Sequence, residues 1–97
     1  MARYNIVSIS NADAGRGGAR LDRGEFDNAE AAVRCAKRLV DKALDGLGAT
    51  GSAHELMMQY TRHGSEVPMI YGEPRVAFHA YQYARERANE MFALPAP

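Results

Sequence analysis

The run Phe78-His79-Ala80-Tyr81-Gln82-Tyr83-Ala84 opens a segment whose apolar residues recur at the spacing of a helix. These apolar residues stand at positions 77, 80, 81, 84, 88, 91 and 92. Because residues three and four apart share one face of a helix, the spacing predicts a last helix over Ala77 to Phe92. Tyr81 belongs to this stripe, so we expect its side chain in the core.

Tyr83 lies about 200° from Tyr81 on a helical wheel, so we expect it on the outer or flanking face. Arg87 follows four positions later, where it can pair with the tyrosine ring on the helix surface. Exposed aromatic and arginine side chains are enriched at protein interfaces. Tyr83 and Arg87 therefore form a candidate interface, with ordinary surface packing of the pair as the competing interpretation.

Upstream of this helix, three segments favour extended structure. Tyr4-Asn5-Ile6-Val7-Ser8-Ile9 is rich in β-branched and aromatic residues, and its alternation predicts a strand with Tyr4, Ile6 and Ser8 on one face. Residues 19–26 predict a second short strand, with Leu21 pointing inward. Residues 66–71 predict a short edge strand or extended loop, since Pro68 cannot donate a ladder hydrogen bond.

Two helices are predicted between these strands. Asp27 is placed to cap the first, with Glu30 three residues later completing a capping-box-like pair, and the helix is expected over residues 27–45. Ser52 is the expected cap of the second, which Gly64 ends. A strand over residues 54–62 is the alternative for this second segment, because methionine and tyrosine fit either structure.

The pattern as a whole predicts a single small α+β domain over residues 1–97, with a frayed tail over residues 93–97. Two or three short antiparallel strands pack against three helices in a ββααβα-like order. A chain of 97 residues is long enough for one such domain and one modest core.

The charge balance narrows the classes of function. The chain has 12 basic and 12 acidic residues and a formal net charge of zero. Non-specific nucleic-acid binding usually needs a basic excess, whereas low net charge makes self-association easier. No apolar run approaches the roughly 20 residues of a membrane span, and no signal peptide is evident. We expect a cytoplasmic protein that does not bind membranes.

No catalytic or metal-binding constellation stands out. The run Gly15-Arg16-Gly17-Gly18 lacks the lysine and the adjoining helix of a phosphate-binding loop, so a mobile hairpin loop is expected. His54, His63 and His79 match no common zinc spacing, and no serine lies in a nucleophile elbow. Cys35 is the only cysteine and is expected to pack as a small half-buried side chain. We therefore expect no metal, no cofactor and no enzymatic activity.

One basic surface is the best sign of an anionic partner. Arg34, Lys37, Arg38 and Lys42 recur at helical spacing on the helix over residues 27–45. Aspartates are interspersed among them, so an ordinary solvated helix face is the competing interpretation.

Several short motifs occur in an order that resembles a family of small bacterial proteins. They are Gly24-Glu25-Phe26-Asp27 before Glu30-Ala31-Ala32, Glu55-Leu56 before Tyr60 and Gly64, Pro68-Met69-Ile70, and the run from Phe78 to Ala84. The resemblance covers most of residues 4–91. It implies no activity, because the family has none established. Relatives tend to have an acidic pair between the glycine and the proline, where this chain has Ser65-Glu66-Val67.

The leading hypothesis is a small interaction or regulatory module that binds an unknown protein or a second copy of itself, a homodimer. The alternative is an accessory nucleic-acid-binding protein that uses the basic helix face.

Overall fold

The computed structural model describes residues 3–10, 20–47, 51–64 and 66–93, and it has an α+β fold. The elements in chain order are β1 (Arg3–Ile9), β2 (Arg20–Phe26), α1 (Ala29–Asp45), α2 (Ala53–His63), β3 (Val67–Glu73) and α3 (Ala80–Met91). The fold class and the ββααβα order predicted from the sequence are confirmed. The loop at Gly15 to Gly18 and residues 94–97 of the predicted tail lie outside the described residues.

The three strands form one antiparallel sheet in the order β2-β1-β3. In the central strand, Tyr4, Ile6 and Ser8 are buried while their neighbours are less so, as the alternation predicted. β3 is an edge strand, which suits Pro68 at the position opposite Ser8.

The second strand is present, and Leu21 lies opposite the buried Ser8, on the inward side as predicted, but it is 39% exposed and does not join the core. Apart from the half-buried Phe26, the hydrophobic core draws on β1, β3 and the helices rather than on this outer strand. The register of β1 and β2 shifts where Ile6 lies opposite Gly24 and Val7 opposite Asp22. Arg23 is thus the extra residue of a β-bulge, and Gly24 next to it has a φ of +117°, a conformation that favours glycine.

The cap of α1 is not Asp27. Helix α1 begins at Ala29, so the capping position belongs to Asn28, whose Oδ1 accepts a hydrogen bond of 2.8 Å from the backbone N–H of Ala31. Asp27 and Asn28 are both good capping residues, so the sequence left the first residue of the helix uncertain by one position. The pairing of Asp27 with Glu30 as a capping box is therefore corrected.

Helix α2 is capped as predicted. The Oγ of Ser52 accepts a hydrogen bond of 3.1 Å from the N–H of Glu55, and Glu55 Oε2 accepts one of 2.6 Å from the N–H of Gly51. Gly64 follows the helix so closely that a Cβ there would meet the carbonyl oxygen of Tyr60. These signals exclude the strand alternative for residues 54–62.

Helix α3 begins at Ala80, three residues later than predicted, because residues 75–79 are not helical and send Val76 and Phe78 toward the core. Ala80, Ala84 and Ala88 define the centre of its buried face. Tyr81 lies beside this centre, on the side of α2, and is 43% exposed, so its prediction as a core residue was wrong.

Two buried tyrosines fix the ends of β3. The hydroxyl of Tyr60 donates a 2.7 Å hydrogen bond to the carbonyl oxygen of Glu66, just before the strand begins. The hydroxyl of Tyr4 donates a 2.7 Å hydrogen bond to the carbonyl oxygen of Pro74, just after it ends. Buried phenol groups need such partners, so each tyrosine supplies apolar volume and also a fixed polar contact. Among the described helices, none is long and apolar enough to cross a membrane.

Candidate functional site

The four predicted basic residues of α1 are all exposed, but they do not act as one surface. The Nζ atom of Lys37 lies 5.5 Å from the ring centroid of Tyr83 on α3, where a cation is attracted by the π-system. Arg34, Arg38 and Lys42 are spaced four residues apart along the helix and form no ion pair within the described residues. The basic face therefore consists of a row of three side chains, with Lys37 turned toward α3.

Tyr83 and Arg87, the predicted interface pair, contact α1 of the same chain. The hydroxyl of Tyr83 donates to Asp41 Oδ1 at 2.9 Å, and Arg87 Nε lies 3.3 Å from the same oxygen. Arg87 Nη1 also lies 2.9 Å from Glu90 Oε2. We call Tyr83 and Arg87 the α1 flank of α3. The cation over the tyrosine ring is Lys37 rather than Arg87, and contact of this flank with a partner stays a prediction.

The environment of the α1 flank keeps the Tyr83 phenol neutral and the Arg87 guanidinium charged, and in these states both can bind the Asp41 carboxylate. Burial, and then the hydrogen bond to the Asp41 carboxylate, raises the pKa of Tyr83 to about 12. The hydrogen bond to Glu90 and the charge of Asp41 raise the pKa of the Arg87 guanidinium. The flank is therefore a neutral phenol and a cation that share one carboxylate.

On the opposite side of α3, Tyr81 and Arg85 repeat the same tyrosine–arginine spacing, and we call them the α2 flank. The ring of Tyr81 meets the ring of Tyr60 edge-on, with centroids 5.7 Å apart and an interplanar angle of 71°. Arg85 lines a groove of about 390 Å³ between α2 and α3. The groove is lined by Ala53, His54, Met57, Met58, Thr61, Arg85 and Asn89.

The groove is apolar with a basic edge. Met58 is 39% exposed there, and Met57 is half-buried beside the core. The lining contains no carboxylate, and its ionisable side chains are His54 and Arg85. Arg85 has no ion-pair partner within the described residues, whereas Arg87 has two. Chemically, the groove can accept apolar side chains together with one carboxylate.

The sequence does not predict this groove, because the apolar stripe of α3 places Tyr81 in the core and gives no indication that Arg85 borders a groove. The repeated Tyr-x-x-x-Arg spacing in residues 81–87 was the signal that could have indicated it. The pairs Tyr81–Arg85 and Tyr83–Arg87 are offset by two residues, which is about 200° around a helix, so they must lie on opposite flanks of α3.

The three histidines are not brought together. His54 lies in the groove, His63 ends α2, and His79 is the residue before α3. Within the described ranges, no group of three or more His, Cys, Asp or Glu side chains is arranged to hold a metal ion. Cys35 is half-buried with a free thiol, in the environment predicted for it.

Two polar residues, Ser8 and Glu66, are buried among the described residues. Arg23, the bulged residue of β2, forms an ion pair with Glu66 Oε1 on the far side of the central strand. The second carboxylate oxygen of Glu66 and the hydroxyl of Ser8 are buried without a hydrogen-bond partner in the part of the chain described. Unpaired buried polar atoms cost free energy, so these two atoms are poorly satisfied within the described residues. Neither residue lines any of the grooves described.

Comparison with known proteins adds no identity: no protein-family model, curated protein or solved structure matches this chain. The resemblance to the small bacterial family stays a prediction. Among the residues that carry it, Tyr60 and Gly64 have structural roles at the end of α2, where the tyrosine fixes β3 and the glycine allows the close turn.

Proposed function

We propose that this domain is a small cytoplasmic protein-interaction module without catalytic activity, and that it binds an acidic amphipathic helix of a partner protein. The helix would occupy the groove between α2 and α3. Its apolar face would contact Met57 and Met58, and one of its carboxylates would pair with Arg85.

The observation that carries this proposal is the unpaired Arg85 beside exposed apolar side chains. The α1 flank supplies an internal precedent, because there a tyrosine and an arginine with the same spacing contact a helix through the carboxylate of Asp41. On the α2 flank, the carboxylate of Glu55 in α2 accepts a hydrogen bond from Gly51 and does not line the groove, whose ionisable side chains are His54 and Arg85. A partner helix with an aspartate or glutamate would supply the missing group.

The character of the groove also favours a helix as occupant. Amphipathic helices bind hydrophobic grooves through apolar residues spaced three and four positions apart. Methionine side chains are flexible and polarizable, so they adapt to the shape of such a ligand. A desolvated arginine–carboxylate pair at the edge of the groove would fix the orientation of the helix.

Site-specific photo-crosslinking in cells that express the full chain tests this proposal. A photoreactive amino acid at Met58 should give a discrete adduct, whereas the same group at the neighbouring exposed Gln59, which does not line the groove, should give none. The crosslinked segment, identified by mass spectrometry, should be an amphipathic helix with an acidic residue.

A synthetic peptide of that segment then gives the decisive measurement. We expect Arg85→Glu to weaken its binding at least tenfold, because a carboxylate pair would replace an arginine–carboxylate pair. Glu86→Gln on the same helix should leave binding unchanged. An adduct with twice the mass of the chain would identify a second copy in the groove and overturn the proposal. Equal adducts at both positions, or none, would also overturn it.

A second candidate function rests on the row of Arg34, Arg38 and Lys42, three exposed cations that have no ion-pair partner within the described residues. Such a row can neutralise phosphates of a nucleic acid. Three phosphate contacts predict a slope of about −2.7 for the logarithm of the affinity for random duplex DNA against the logarithm of salt concentration. Fluorescence anisotropy measures this slope. Absence of binding at low salt, or equal binding by a triple glutamine variant, would eliminate this candidate.

A further inference from the structure

We propose that two copies of this chain pack face to face through the side of the sheet that the described helices leave open. We call this side the outer face; it carries Asn5 and Val7 of β1 and Met69 and Tyr71 of β3. A two-fold axis parallel to the strands would relate the two copies. The inference is independent of the groove between α2 and α3, because it uses the sheet rather than the helices.

The described chain places helices on one side of the sheet only. Tyr4 and Ile6 of β1 are buried against α1, whereas Asn5 is exposed and Val7 is half-buried on the other side. The Cα trace is 16 Å in its smallest extent, which accommodates one sheet and one layer of helices. The outer face is therefore accessible to another molecule.

The centre of the outer face is apolar. Val7 lies opposite Met69, and Tyr71 follows two residues later on β3. Tyr71 is 49% exposed, and its hydroxyl lies 3.7 Å from the sulfur of Met69. Toward the start of β3, Val67 is buried in the helix-packed core, so the open apolar surface ends there. An apolar centre with polar surroundings is the usual composition of a protein interface.

The segment of residues 75–79 extends this face beyond β3. Its residues alternate in burial like those of a strand, since Val76 and Phe78 pack against the core, whereas Arg75, Ala77 and His79 are exposed. The segment lines a crevice along β3. It therefore covers the edge of β3 and adds a further column of side chains to the outer face.

The two margins of the outer face carry opposite charges. On β2, Asp22 lies opposite Val7 and Glu25 lies opposite Asn5, and all four line one groove of about 630 Å³. Both carboxylates therefore belong to the outer face. On the opposite margin, Arg75 has no ion-pair partner within the described residues. Because β1 and β3 lie between the two margins, these charges are more than about 10 Å apart within one chain.

A two-fold axis that runs between β1 and β3 makes this face complementary to itself. It places β1 of one copy over β3 of the other, so that Val7 meets Met69 of the second copy. It also places β2 over residues 75–79 of the second copy, so that Glu25 meets Arg75. Each contact occurs twice, because a two-fold interface is isologous. Aligned sheets pack about 10 Å apart, which long charged side chains can span.

Two other arginines lie on the outer face. Arg3 is the cross-strand neighbour of Glu73, so the axis places it over Glu73 of the second copy. Within one chain Arg3 lies 4.0 Å from Glu25, but both side chains are largely exposed, so this ion pair is weak. Arg20 lies opposite Ile9, at the end of the sheet away from Glu25. The complementary contact of Glu25 with Arg75 is therefore the one to test.

Charge exchange between two variants tests the proposal. Glu25→Arg would face Arg75 of the second copy, and Arg75→Glu would face Glu25, so each variant alone should self-associate about tenfold or more weakly than the wild type. In an equimolar mixture, each heterodimer has one native and one reversed ion pair. Association should then return to within about threefold of the wild-type constant, as measured by sedimentation equilibrium.

Glu86→Arg is the matched control, because it makes the same charge change on an exposed position of α3. It should associate like the wild type, and it should not restore association when mixed with Arg75→Glu. Met69→Glu supplies a second test at the apolar centre, where two carboxylates would face apolar groups, and it should lower the association constant about tenfold or more. Circular dichroism confirms that each variant is folded.

Three results would overturn the proposal. The first is a wild-type chain that stays monomeric up to about 1 mM. The second is association of equal strength in the wild type, the two margin variants and Met69→Glu, which would place the contact between copies elsewhere. The third is rescue of Arg75→Glu by Glu86→Arg as strong as the rescue by Glu25→Arg, because attraction between opposite net charges would then explain it.

Discussion

The two flanks of α3 carry tyrosine–arginine pairs with the same spacing, but the two pairs make different contacts. Tyr83 and Arg87 contact Asp41 of α1, and Lys37 lies over the tyrosine ring, so the polar groups on this flank are satisfied within the chain. Tyr81 contacts the ring of Tyr60 on α2, and Arg85 borders a groove whose lining contains no carboxylate. Identical side-chain spacing on one helix therefore gives an arginine with two ion-pair partners on one side and an arginine without one, among the described residues, on the other.

The largest expected difference concerns the two tyrosines. Tyr83→Ala should destabilise the domain by about 2–3 kcal/mol, because it removes a half-buried ring and its hydrogen bond to Asp41. Tyr81→Ala should cost about 1 kcal/mol, since 43% of this residue is exposed and the edge contact with Tyr60 is a weak one. Urea unfolding of both variants measures the two values. A larger loss for Tyr81→Ala would mean that the assignment of the flanks is reversed.

A smaller effect should follow from the Tyr83 hydroxyl alone. Its folded-state pKa is raised to about 12, above the ordinary value of 10, so the neutral phenol is favoured by folding. The resulting stabilisation is fully present below pH 10 and is lost as the pH rises from 10 to about 12.

The free energy of unfolding of the wild type and of Tyr83→Phe, measured from pH 7 to pH 12, tests the predicted loss of stabilisation at high pH. The wild type should be more stable by about 1 kcal/mol at pH 8, and its advantage should decline only above pH 10. An advantage that fades between pH 7 and pH 9, or one that grows above pH 10, would contradict the contact with Asp41.

The arginines should show the smallest effects on stability. Arg87→Gln should lower the urea midpoint slightly, because the ion pairs with Asp41 and Glu90 are partly exposed. Arg85→Gln should leave the midpoint unchanged within error, since it removes no ion pair within the described chain. If both variants lowered the midpoint equally, Arg85 would have a structural partner, and the groove would no longer contain an arginine free to pair with a carboxylate of another protein.

Local signals in the sequence were sufficient for most of the fold. Ser52 and Gly64 bounded α2 correctly, because capping and helix termination depend on a few adjacent residues. The alternation of Tyr4, Ile6 and Ser8 identified the buried face of β1 for a similar reason. The error of one residue at the α1 cap arose where Asp27 and Asn28 offered equivalent chemistry.

Features that depend on the packing of distant elements could not be predicted. The stripe in α3 included Tyr81, but the helix is centred on its alanines because they allow close approach to the rest of the core. Leu21 alternates correctly, yet no helix covers the outer strand well enough to bury it. The contact of Tyr83 with Asp41 joins residues 42 positions apart, which no local pattern indicates. The groove could not be inferred without knowing which flank each tyrosine occupies.

The ion pair between Arg23 and Glu66 has a consequence for how the sheet opens. β2 and β3 share no hydrogen bonds, because β1 separates them, and the ion pair connects them across the central strand. Loss of β2 would leave the nearly buried Glu66 carboxylate without its counter-ion, a costly arrangement in the interior. Fraying of the outer strand is therefore coupled to release of the segment that enters β3. Amide hydrogens of β2 and of the segment that enters β3 should exchange with solvent as one cooperative unit, although the two strands lie at opposite edges of the sheet.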